Sequence, residues 1–141
     1  MTRRSPWMVL AAIWSLLMPT LATAETCDVR KELLALIVAV SRYDSMATEA
    51  LTLKRLPLAD AMRAKADYDS QLLRLTYLCK SEIRNEQSQE RAVMVLAIRQ
   101  AGGVTLLLTG ASIDDPLVKA GHEAAMKMID VAGRYFDTKP R

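Results

Sequence analysis

No glycine occurs in this chain before Gly102, and no proline lies between Pro19 and Pro57 or between Pro57 and Pro116. These are the two residues that most readily interrupt a helix, so the sequence predicts long helical runs with few places to turn. Their apolar residues are spaced accordingly. Val29, Leu33, Leu36, Val40, Tyr43, Ala47 and Ala50 step by four and three, the stripe of an amphipathic helix over about 27–51. Ala61, Tyr68, Leu72, Leu75 and Cys79 repeat the spacing on a second helix, with Lys65 as the exception. Pro57 suits the first turn of that helix.

The polar run Ser81 to Arg91 carries only Ile83 as a large apolar residue. Asn85 as terminator and Ser88 as N-cap predict a break there, although the second helix could run straight through. Ala92 to Leu108 is the most apolar segment after the first 24 residues and reads as a buried core helix. Arg99-Gln100 in its middle argues against a membrane span. Gly102-Gly103 costs this helix about 1 kcal/mol each against alanine, which makes sense where another helix packs closely or the helix kinks. Thr109 to Asp115 reads as a loop, with Asp115 as N-cap and Pro116 as the first helical residue. Leu117, Gly121, Ala124, Met128, Val131 and Tyr135 mark the buried stripe of a last helix. Its small residues, Gly121, Ala124, Ala125 and Ala132, would let it sit close against Gly102-Gly103. The expected fold is all-α: an antiparallel up-down-up-down four-helix bundle.

Residues 1–24 read as a cleaved export signal. Arg3 and Arg4 give a positive start, Trp7 to Met18 an apolar stretch, Pro19 a break, and Ala22-Thr23-Ala24 the small residues of a cleavage site. The start also resembles a twin-arginine signal, but Pro6 and Trp7 depart from that pattern. Glu25 and Thr26 before Cys27 do not fit a lipid-anchor cysteine. The expected product is a single helical domain, 25–141, periplasmic or secreted, with no membrane span after signal removal. In an oxidising compartment its two cysteines should pair. Residue 53 is the midpoint of Cys27 and Cys79, and the turn Thr52 to Pro57 falls there, so a helical hairpin would bring the cysteines level.

Losing Arg3 and Arg4 changes the balance of 19 Lys+Arg against 16 Asp+Glu to 17 against 16. A net charge near +1, with no basic stripe, argues against nucleic acid as a partner. Chemistry is hard to find. His122 is the sole histidine, and its HEAAM stretch lacks the second histidine of a helical zinc motif. No metal site can be assembled around it, and it is the weak candidate at most. Haem ligation would need a methionine level with His122 across the core, from Met62 or Met94. Met46, Met62, Met94, Met126 and Met128 otherwise read as core filler. The pair Asp67/Asp69 flanks the second stripe as solvated charge, and Asp114/Asp115 is explained by capping.

The expected function follows from class. A small exported helical domain of this kind acts by binding, as an inhibitor or immunity protein, a chaperone or an accessory subunit of an envelope complex. It is expected to be no enzyme and to hold no cofactor, its partner being another envelope protein or an incoming toxin or enzyme. Candidate contacts are Lys54, Arg55 and Leu56 in the first turn, and Ile113, Asp114 and Asp115 in the last loop. The alternatives are a haem- or metal-binding bundle using His122, and a hydrolase whose site the sequence does not display.

Overall fold

The structure is a computed structural model, which describes residues 25–53 and 57–138. Residues 1–24, expected from the sequence to be an export signal, lie outside the described residues. Among the described residues five α-helices follow one another: α1 Val29–Thr48, α2 Leu58–Leu78, α3 Lys80–Ile83, α4 Gln89–Leu108 and α5 Pro116–Thr138. Among the described residues there is no strand.

α1 begins where Asp28 Oδ1 accepts the Lys31 N–H at 3.2 Å, an N-cap that satisfies one of the free donors of the first turn. The predicted stripe is its buried face: Leu33, Leu36, Val40, Tyr43 and Ala47. Each large aliphatic among them contributes roughly 1.5–3 kcal/mol by leaving water. The helix was expected to run to about 51. Instead α geometry ends at Thr48, and the chain widens into a π-helical turn, Glu49–Leu53.

α2 buries Ala61, Ala64, Tyr68 and Leu75, while Leu72 is only half-buried. Lys65 interrupts the stripe without penalty because its ammonium bonds Asp69 Oδ2 at 2.7 Å, which holds the Lys65 pKa above its ordinary value. The Tyr68 ring stacks on Tyr43, with centroids 6.4 Å apart, and burial pushes its phenol up to about 12. The chain leaves helical geometry at Cys79 (φ −108°, ψ 31°), a break the periodicity did not announce. That residue is disulfide-bonded to Cys27, with Cα atoms 5.1 Å apart. α3 is a single turn that buries Ile83. The next break is the expected one. Asn85 Oδ1 accepts the Gln87 N–H at 3.0 Å, and Ser88 Oγ accepts the Arg91 N–H at 3.1 Å to cap α4.

Beside the disulfide lies a buried charge that the apolar stripes gave no reason to expect. Glu32 is 4% exposed. Its carboxylate accepts Gln71 Nε2 at 2.8 Å and Arg74 Nε at 3.0 and 3.1 Å. Arg74 also reaches Glu25 at 2.8 Å. Bonds to Glu25 and then Glu32 raise the guanidinium pKa further. A carboxylate removed from water is tolerable only with such partners.

α4 buries Val93, Met94, Ala97, Ala101 and Val104. It is also long and apolar enough to cross a membrane by length and composition, but here it packs between α1 and α5. Its end is a Schellman motif: Gly110, at φ +98°, donates to Leu107 O at 3.1 Å and Ala111 donates to Leu106 O at 3.0 Å. The loop closes where Asp115 Oδ1 accepts the Leu117 N–H at 2.8 Å, the predicted N-cap of α5.

α5 packs against α4 through two glycines. A methyl group on Gly121 would stand 2.9 Å from Arg99 O and 2.9 Å from the Gly103 Cα. The expected close approach is therefore present at Gly103, while Gly102 faces open space with nothing within 4 Å. The α5 stripe needs two corrections. Val131 is only half-buried, and Ala132 is the buried residue there. Leu117 is 66% exposed and Val118, at 7%, takes its place, three residues before Gly121 rather than four. Ala124, Met128, Ala132 and Tyr135 continue the buried face.

Three long-range links tie distant parts of the helices together. The disulfide joins the start of α1 to the end of α2. Tyr43 Oη and Thr105 Oγ1, 3.0 Å apart, join the late parts of α1 and α4. Arg30 Nη2 donates to Phe136 O at 2.9 Å and lies over the Phe136 ring, joining the start of α1 to the end of α5.

Candidate functional site

At the end of the molecule away from the disulfide, α1, α4, the 109–115 loop and the start of α5 enclose a cavity of about 400 Å³. That size lies within the range of small-ligand pockets, about 300–1,000 Å³. The Gly103–Gly121 contact holds α4 and α5 together along one side. Val104, Leu107, Ile113 and Val118 supply apolar wall.

The polar residues are graded by depth. Gln100, deepest, is 5% exposed. Its Nε2 donates to Asp44 Oδ2 at 2.7 Å, while its Oε1 is buried with no hydrogen-bond partner. Exchanging the amide atoms would set Oε1 against the carboxylate, so the orphan acceptor belongs to this arrangement. A buried acceptor left unpaired costs about 1–3 kcal/mol. Asp44 is half-buried, and Lys119, His122 and Glu123 are exposed at the rim. Thr48 Oγ1, the one hydroxyl among the described lining residues, donates to the Asp44 backbone oxygen at 2.9 Å within its own helix. Lys119 pairs with Asp114 at 3.5 Å.

Of the residues singled out from the sequence, the structure brings Ile113 and His122 to this cavity. Ile113 is 74% exposed while also lining it. Asp114 is exposed and pairs with Lys119, whereas Asp115 is occupied as the α5 cap. Lys54, Arg55 and Leu56 lie outside the described residues. Asp67 and Asp69 are solvated, as expected, and face Arg42 and Lys65 at 3.9 and 2.7 Å. Among the methionines, Met94 and Met128 are core residues, but Met62 and Met126 are exposed. His122 is exposed at the rim, so neither Met62 on the outside of α2 nor buried Met94 stands across a core from it. One further group, Cys27, Cys79 and Glu82, places potential ligand atoms together. Its sulfurs are joined to each other and offer no thiolate to a metal.

Sequence reasoning missed Asp44, Thr48 and Gln100. Gln100 carried a usable signal, as an amide next to Arg99 in the most apolar segment of the domain. Asp44 carried less, being one more acid on a solvent-bordering position of α1. Together the residues define an all-helical, disulfide-bonded chain with an apolar-walled cavity whose deepest polar group is the Gln100–Asp44 pair. Comparison with protein families, curated proteins and solved structures finds no match for this chain.

Proposed function

We propose that this chain is an exported, non-enzymatic binding protein of the cell envelope, contacting its partner through the 110–115 loop and the cavity beneath it. The observation that carries this reading is Ile113: a large aliphatic side chain, 74% exposed, at the mouth of a cavity whose wall is otherwise Val104, Leu107 and Val118. Apolar surface rimmed by Lys119, His122 and Glu123 has the make-up of a contact site, with an apolar centre and a charged edge. Export by residues 1–24 belongs to the reading, and the Cys27–Cys79 bond is compatible with an oxidising location. So does the up-down-up-down four-helix arrangement. The start-to-end link of α1 with α2, the end-to-end link of α1 with α4 and the Gly103–Gly121 hairpin support it.

The test is purification of the full chain, tagged at its C-terminus, from its native envelope. A stoichiometric protein partner, lost on Ile113→Asp while the melting temperature holds, is the expected result. Haem or metal co-purifying in place of a protein, and lost on His122→Ala, would overturn it in favour of a His122 cofactor site.

A further inference from the structure

We infer that the cavity takes an organic cation, an ammonium or guanidinium group on an aliphatic stem, with Asp44 and Gln100 as its anchors. The inference rests on the binding reading above and names the ligand chemistry.

The cavity offers acceptors in excess. Asp44 and Glu123 bring two carboxylates, and Gln100, which lines the cavity, holds a buried carbonyl oxygen with no donor. The one lysine of the rim is engaged with Asp114. An anion would meet Asp44 and Glu123 without a free lysine to offset them. A neutral apolar ligand would leave Gln100 Oε1 unpaired, as it is now. A cation satisfies both groups. Gln100 Nε2 keeps its bond to Asp44 Oδ2. An entering ammonium or guanidinium donates one N–H to Asp44 Oδ1 and, after a small turn about the broad Gln χ3 torsion, a second to Gln100 Oε1. Two charge-assisted bonds to the ligand are added without breaking the bond within the protein. The stem of the ligand lies along Val104, Leu107 and Val118, with Ile113 over it.

Two sources carry this chemistry: the arginine or lysine side chain of a protein partner, and a free polyamine. Amide spectra of the ¹⁵N-labelled mature protein, recorded with N-acetyl-arginine amide, spermidine and N-acetyl-norleucine amide in turn, separate them. The norleucine probe has the stem without the charge. Shifts of the Gln100 side-chain amide with the arginine probe, with spermidine or with both, and none with norleucine, are expected. Response to one cation alone assigns the source. Asp44→Asn and Gln100→Met should each weaken binding about tenfold or more while the melting temperature stays level or, for Gln100→Met, rises. Equal binding of the norleucine probe, indifference of cation binding to both substitutions, or no shift with any probe at about 10 mM overturns the inference. A protein partner lost on Ile113→Asp but retained by Asp44→Asn would leave the binding reading standing and end this one.

Discussion

The α1–α2 and α4–α5 pairs solve the same problem, holding two successive long helices together, by opposite means. The first is fastened at its open end by a covalent bond, and beside that bond Glu32 is caged by Gln71 and Arg74. The second has no crosslink and relies on removing side chains until two backbones touch, at Gly103 and Gly121. The first tolerates a buried charge because its partners are fixed in place. The second leaves its turn end partly open, and the cavity sits there. A crosslink permits polar interior near it, and close backbone packing permits a hollow near it.

Breaking the crosslink should have the largest effect. Its closed loop spans a sequence separation of 52, worth about 4 kcal/mol by loop-closure entropy. Reduction, or Cys27→Ser with Cys79→Ser, should lower stability in chemical denaturation by about that amount. A change below ~1 kcal/mol would mean that the Glu32 cage already holds the pair. The matching break in the second pair is Gly121→Ala, whose methyl would sit 2.9 Å from backbone atoms that cannot rotate away. About 2–3 kcal/mol of lost stability is expected from the forced separation, and an unchanged denaturation midpoint would refute the contact.

The core where α1 meets α2 should also show in its pH response. Tyr68 ionises near 12 when folded because burial disfavours the phenolate, against an ordinary value of 10.0. The unfolded chain therefore loses that proton first. Stability should be intact below pH 10 and fall by about 2 kcal/mol as the pH climbs to 12. Tyr43, raised by the same cause, adds in the same direction. Tyr68→Phe should flatten the fall, measured by calorimetry across that range. The smallest effect is a gain. Gly102→Ala, one residue from the contact but facing open space, should stabilise α4 by about 0.5–1 kcal/mol. Opposite signs at Gly102 and Gly121 would separate helix propensity from helix contact.

Most of the helical plan was legible because period and punctuation agreed. The α1 stripe, the Ser88 and Asp115 caps, the disulfide and the tight glycine packing all follow from residues with one strong local preference. The reading slipped where tertiary contact outweighed local preference. Leu117 and Val118 satisfy the helical period equally well, and the approach of Gly103 selects Val118. The break at Cys79 has no helix-breaking residue to announce it. Glu32 is the instructive miss. Glu32 and Arg74, like Cys27 and Cys79, are centred on residue 53, so the symmetry that located the disulfide also pointed to the buried ion pair. The cavity was the least legible feature. It depends on the space between three helices and a loop, and no single stretch of sequence records a space. His122 and Ile113 were noticed, while Asp44 and Gln100, which give the cavity its polarity, were not.

The crosslink also divides the molecule in time. It closes a loop that contains α1 and α2 and nothing after residue 79, so it restrains only that part of the disordered ensemble. α4 and α5 carry no tether, and a transient opening of their contact releases no crosslinked segment. Slow amide exchange should therefore split into two cooperative units. Protection in α1 and α2 should run close to the free energy of global unfolding, while α4 and α5 open more often and at lower cost. The cavity sits on the boundary between the two units, where a bound molecule that bridges Asp44 on α1 and Gln100 on α4 would couple their openings into one.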